Sequence, residues 1–146
     1  MSLSRHHKGT LTNFDLMGPV SSIRKLSWRR PSKAAKASLK NQDDATRDGA
    51  YSVALAAIEA ALGLFAISRL DRRTGADYLV GTPGQGMESA RRLEVSGTQL
   101  DSAAVSARLG EKIAQVGKGD LPAIACVVGF KVREVAMSPV NDGDES

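Results

Sequence analysis

The sequence predicts an α/β domain built on a central mixed sheet, and three patterns predict it. A helical stripe of large apolar residues comes first. Short β-type segments bounded by glycines follow, and then a second helical stripe. An unbroken, β-branched apolar run at residues 121–130 (LPAIACVVGF) closes the series. The coarse order is helix, strand, strand, strand, helix, strand, with one more segment after it. At 146 residues the chain has one-domain length.

The first helix is predicted within residues 48–65 (DGAYSVALAAIEAALGLF), capped by Asp48 or Asp44. At 100° per residue, Tyr51, Leu55, Ile58, Leu62 and Phe65 fall within a sector about 80° wide. Ala50, Ala54 and Ala61 flank that sector and permit close packing. The stretch is shorter than the ~20 residues that a membrane span needs, and Glu59 interrupts it. Next come three β-type segments: residues 64–70 (LFAISRL), residues 75–81 (GADYLVG), and residues 90–97 (ARRLEVSG). In the third, Leu93 and Val95 point one way, and Arg92, Glu94 and Ser96 point the other. After Gly97, Asp101 or Ser102 caps a second helix with the stripe Val105, Leu109, Ile113 and Val116, ending at Gly117 or Gly119. The run at 121–130 suits a buried central strand, and residues 131–137 suit an edge strand or an exit segment.

Composition bounds the chemistry. The chain is 42% hydrophobic and 25% charged, with 4% aromatics, which argues against a large ring-lined cofactor pocket. Cys126 is the single cysteine, so no intrachain disulfide framework and no cysteine-based zinc cluster can form. Inside IACVV it reads as a small buried apolar residue. The net charge of +4 is uneven. Residues 1–46 hold nine lysines and arginines against three aspartates, a balance of +6, whereas the remainder, with eleven against thirteen, comes to −2.

Residues 1–46 show no sustained apolar period and read as a basic, mostly disordered leader. Residues 47–138 read as the compact domain, and residues 139–146 as a polar tail. No apolar run of signal-peptide length follows the early basic residues, and the expected location is cytoplasmic. A flexible tail is the first reading of the leader, and an organelle transit peptide the second. Residues 34–39 suit a transient helix, and Arg29-Arg30-Pro31-Ser32 a weak kinase or anion site. The His6-His7 doublet lacks the fixed geometry of a metal site. GTPGQG at 81–86 lacks the Gly-Lys-Ser/Thr ending of a phosphate loop and reads as a connection between strands.

The order of elements, together with Asp77 in Gly75-Ala76-Asp77-Tyr78 and Glu94 in Arg92-Leu93-Glu94-Val95-Ser96, resembles the core of the PD-(D/E)xK, or restriction-endonuclease-like, superfamily. The resemblance covers about 90 residues, near 48–137. RLEVSG also resembles strings in small uncharacterised bacterial proteins. The superfamily resemblance implies a metal-dependent nuclease, or an inactive descendant of one, with nucleic acid as partner and Mg²⁺ as cofactor. It implies that Asp77 and Glu94 hold the metal, with Glu59 as a third acid from the first helix. The chemistry explains the residue types. Phosphodiester hydrolysis needs a divalent ion to polarise the phosphoryl oxygen and acidify water, and Mg²⁺ is satisfied by a few carboxylates.

One departure stands out. Members of the superfamily carry a lysine two residues after the second strand acid, where this chain has Ser96. Arg92, or Arg108 or Lys112 in the second helix, would have to supply the positive charge. The plainer readings are an exposed Glu59, a strand-capping Asp77, and a polar strand face pairing across to it. They lead to the alternative function, a non-catalytic binding or assembly module on the same scaffold. A structural protein that dimerises through its edge strand is the third.

Overall fold

The structure, a computed structural model, describes residues 11–18, 21–27, 42–70, 77–86, 89–117 and 122–140. Strands β1 (Leu11–Met17) and β2 (Ser22–Ser27) precede helix α1 (Gln42–Leu62). A meander follows: β3 (Phe65–Arg69), β4 (Tyr78–Gly81) and β5 (Arg91–Thr98). Helix α2 (Ser102–Val116) leads to β6 (Ala123–Gly129) and β7 (Glu134–Val140). From α1 to β6 the order is the helix, strand, strand, strand, helix, strand series that the patterning predicts.

The strands of the described residues join one mixed sheet in the order β2-β1-β7-β6-β5-β4-β3. The meander is antiparallel throughout. β5 and β6, joined through α2, run parallel over seven registered pairs from Arg92↔Ala123 to Thr98↔Gly129. The helices lie on opposite faces, and β6 shows why its sequence is unbroken. Ile124, Cys126 and Val128 face α1, and Ala123, Ala125 and Val127 face α2. Both sides of the strand are covered, so no position can be polar. Gly129 closes the strand under α2: a Cβ there would stand 2.6 Å from Val105 Cγ2 and 2.8 Å from Val132 Cγ2.

Helix α2 follows its predicted stripe, with Val105 and Val116 buried. Asp101 is the cap, its carboxylate accepting from the Ala104 N–H at 3.0 Å. Helix α1 departs from prediction in three ways. It begins at Gln42, so Asp44 and Asp48 lie within the helix and neither is its cap. It stops at Leu62, where Gly63 takes φ +66, and Phe65 opens β3 as a 43% exposed strand residue. Its buried face is shifted toward the small-residue flank: Ala50, Val53, Ala54 and Ala57 are buried with Ile58 of the predicted stripe, while Tyr51, Leu55 and Leu62 sit half-buried at the rim. Alanines let the helix axis approach the sheet, so closeness of packing, not side-chain bulk, selects the face.

The β1–β2 hairpin lies inside the stretch that composition reads as a leader. Asn13 and Asp15 are exposed while Phe14 and Leu16 are buried, a two-residue period confined to four positions. That short pattern is enough because β1 does not stand alone: it runs parallel to β7 over Asp15↔Glu134 to Met17↔Ala136. β7 is therefore an interior strand, not the predicted edge. It continues through Pro139 and Val140, into the expected tail. Pro139 falls beyond the last β1 pair, where β7 has a single neighbour and a missing N–H is tolerated. The His6-His7 doublet, the Arg29–Ser32 site and the segment 34–39 lie outside the described residues, as do residues 141–146. Among the described residues no helix is long and apolar enough to cross a membrane.

Candidate functional site

The meander brings Asp77 and Glu94 together. β4 pairs with β5 through Tyr78↔Leu93, Leu79↔Arg92 and Val80↔Arg91. Asp77, one residue before β4, stands opposite Glu94 in that register. Its backbone is pinned on both sides, with its N–H donating to Leu93 O at 2.8 Å and its carbonyl accepting from Leu70 N at 2.9 Å. Beyond Leu93, β5 has lost its β4 partner, and the Asp77 side chain takes over that edge. Oδ2 accepts from the Val95 N–H at 2.7 Å, and Oδ1 accepts from the Tyr51 hydroxyl at 2.9 Å.

Glu94 points to the α2 side and is 6% exposed. Its Oε1 accepts from Lys112 Nζ at 2.9 Å and from Gln115 Nε2 at 3.2 Å. Lys112 also donates to Gln115 Oε1 at 3.2 Å. This contact is one rung of three. Arg108 Nη1 donates to Ser96 Oγ at 3.4 Å, and Arg92 Nη2 donates to Val116 O at 3.4 Å. Four helical residues rise about 6 Å and two strand residues about 6.6 Å, so α2 and β5 stay in step. Each second residue of the strand then meets each fourth residue of the helix.

Burial lifts the Glu94 carboxyl above its ordinary range; the Lys112 hydrogen bond and charge oppose the rise, and the neighbouring Asp77 adds to it through charge and hydrogen bonding. The two carboxyls are therefore close enough to feel each other. A raised carboxyl pKa has a definite sign in stability. The folded state holds the Glu94 proton more tightly than the unfolded chain does, so this group favours folding below the ordinary carboxylate range. That advantage is lost as pH rises through the raised value. Glu94→Gln removes the loss, and in chelator its melting temperature is expected to exceed that of wild type near pH 7 and to converge with it under acid conditions. Thermal melts across pH 4–8 in EDTA check this; a lower neutral-pH melting temperature for the variant would mean that the Lys112 pair outweighs burial.

The predicted residues are distributed as follows. Asp77, Glu94 and Lys112 converge. Arg92 is on the same strand face as Glu94 but reaches the C-terminal end of α2, and Arg108 reaches Ser96 one rung away. Glu59 does not join them. It is exposed, eight residues past Tyr51, hence about 12 Å further along α1. The shift of the buried face toward the alanines turns Glu59 about 170° from the centre of that face, toward solvent. Consistently, no group of three or more His, Cys, Asp or Glu side chains able to share a metal occurs among the described residues. The expected three-acid site is replaced by two acids and a lysine.

Sequence reasoning missed Tyr51, Arg69 and Gln115. Tyr51 carries a helical-stripe signal that reads as core packing, although it approaches Asp77 by its hydroxyl. Gln115 is visible only as the position three residues after Lys112. The 81–86 connection is the plain turn expected, with Gln85 N donating to Thr82 O at 3.2 Å and Gly84 at φ +80. Cys126 is fully buried, and burial pushes its thiol up to about 12, which removes it from nucleophilic chemistry. Neither family models, nor curated proteins, nor solved structures show a match to this chain.

Proposed function

We propose that the protein is a metal-dependent phosphodiesterase acting on nucleic acid, built on a restriction-endonuclease-like core, with Asp77 and Glu94 as metal ligands and Lys112 as the cation. The observation that carries this reading is the Lys112–Glu94 contact at 2.9 Å, beside Asp77. It supplies from α2 the positive charge that Ser96 does not supply from β5. The donor set suits a hard cation: two carboxylates, oxygen ligands only, with water to complete the shell, as Mg²⁺ and Mn²⁺ prefer. When bound, such an ion polarises a phosphoryl oxygen and lowers the pKa of water. Asp77 and Glu94 would hold it; Lys112 would stabilise negative charge developing on the phosphate; Arg92 and Arg108 add positive potential along the same strand face. The basic residues of positions 1–46 offset the slightly acidic remainder and provide phosphate affinity that weakens with salt.

A second reading, a binding or assembly module, draws on a different fact. Both Asp77 oxygens and Glu94 Oε1 already carry protein hydrogen bonds, an arrangement that also serves as a polar clasp between α1, β5 and α2. Incubation of the wild-type protein with plasmid, single-stranded DNA and RNA separates the two. Cleavage that requires Mg²⁺ or Mn²⁺ and stops in EDTA supports the enzyme; no cleavage of any of the three with either ion supports the clasp.

A further inference from the structure

Helix α1 brings a phenol, not an acid, to the carboxylate pair. The Tyr51 hydroxyl donates to Asp77 Oδ1 at 2.9 Å, while the Val95 N–H donates to Oδ2 at 2.7 Å. A carboxylate held at one oxygen can still rotate about its terminal torsion; donors on both oxygens fix its plane. Each oxygen keeps a further lone pair for a ligand. The Tyr51 ring is itself fixed. Tyr78 meets it edge-on at 5.4 Å between centroids and 75° between planes, and the Arg69 guanidinium lies 5.4 Å from its centroid. Arg69 is exposed at the end of β3, and the next residue, Leu70, binds the Asp77 carbonyl. One short segment therefore supports Asp77 through its backbone and, through the ring, its side chain. A cation on the face of a phenol draws electron density from it and makes the hydroxyl a better donor.

We infer that Tyr51 is a positioning residue for Asp77, orienting the carboxylate for a divalent cation, with Arg69 reinforcing the hydroxyl through the ring. The inference rests on the metal-site reading above. It assigns to α1 a supporting role in place of the direct ligation expected of Glu59. Partners of this kind that orient a metal ligand are worth about 10–100-fold in metal affinity.

The test is Mn²⁺ titration by calorimetry on the full chain, with thermal melting in EDTA alongside. Tyr51→Phe keeps the ring and its packing. It is expected to weaken Mn²⁺ binding by about 10–100-fold while the metal-free melting temperature stays near that of wild type. In the cleavage assay the Mn²⁺ concentration for half-maximal rate rises, and turnover recovers at saturating Mn²⁺; a purely structural role would not produce that split. Arg69→Gln, at an exposed strand position, is expected to shift Mn²⁺ affinity in the same direction by less. Unchanged Mn²⁺ affinity in Tyr51→Phe overturns the positioning role and leaves the metal site standing. No Mn²⁺ binding by wild type overturns the metal site and this inference with it. Glu59→Gln serves as the distal control, with wild-type affinity expected.

Discussion

Asp77→Ala is expected to abolish metal-dependent cleavage and Mn²⁺ binding and to destabilise the fold by about 1–3 kcal/mol. The two effects have separate causes. Loss of binding follows from removing one of two carboxylates that a cation would share. Loss of stability follows from the Val95 N–H, which donates to Asp77 Oδ2 where β5 has no further β4 partner. Without that acceptor a backbone donor next to the buried Leu93–Val95 strand is left unpaired. The Tyr51 hydroxyl loses its acceptor too, but Tyr51 is half-buried and can turn to water. Asp77→Asn retains one acceptor oxygen and is expected to recover part of the stability and none of the cleavage. The contrast with Glu94→Gln is the discriminating result. Both substitutions remove a proposed ligand, yet the first is expected to lower the metal-free melting temperature and the second to raise it near neutral pH. Asp77 accepts a backbone and a phenol hydrogen bond that its loss leaves unmade, whereas burial penalises the charged form of Glu94. Chemical denaturation in EDTA together with Mn²⁺ calorimetry on both variants reads the pair. Cleavage retained in Asp77→Ala would remove the metal reading altogether.

Most of the sheet was legible because burial on two faces leaves a sequence trace. The run at 121–130 has no polar position to spare, and the stripe Val105, Leu109, Ile113, Val116 has one face only. The hairpin was not legible because Phe14 and Leu16 give a two-residue period with two members. What stabilises them is β7, more than a hundred residues away in sequence. The buried face of α1 is not legible for a related reason. Large side chains suggest a core, but Ala50, Ala54 and Ala57 are what the sheet accepts, and Tyr51 and Leu55 are displaced to the rim. That displacement carried the site with it, turning Glu59 outward and setting the Tyr51 hydroxyl against Asp77. Asp77, Glu94 and Lys112 could be named in advance because they are charged residues on short, well-bounded elements. Which of Arg92, Arg108 and Lys112 would reach Glu94 depended on the register between α2 and β5, and no single-element pattern encodes a register.

Lys112→Met is expected to lower the cleavage rate by about 10²–10³-fold at saturating Mn²⁺, the usual cost of removing one donor aimed at developing negative charge. Methionine preserves the length and apolar stem of the lysine, so α2 keeps its packing while the ammonium is lost. Metal affinity should move the other way. Lys112 occupies Glu94 Oε1 at 2.9 Å and its charge opposes a cation at the same carboxylate. Removing it leaves the oxygen with the neutral Gln115 donor and no opposing charge, and is expected to leave Mn²⁺ binding equal to or tighter than that of wild type. A slower enzyme that binds its metal at least as well is the signature of a charge that acts on the phosphate, not on the fold. The stability term has its own sign. Lys112 holds the Glu94 carboxyl below where burial and Asp77 would put it, so its loss raises that carboxyl further. In EDTA the variant should therefore be destabilised relative to wild type by an amount that grows as pH rises through the Glu94 titration. The difference should vanish in acid, where Glu94 is protonated in both proteins. Lys112→Arg keeps the charge but replaces a compact ammonium with a longer planar fork; it should restore the acid-to-neutral stability profile more fully than the rate. Wild-type turnover in Lys112→Met would move the cation to Arg92 or Arg108, the other two rungs between α2 and β5, and make the 2.9 Å contact a brace for the buried carboxylate alone.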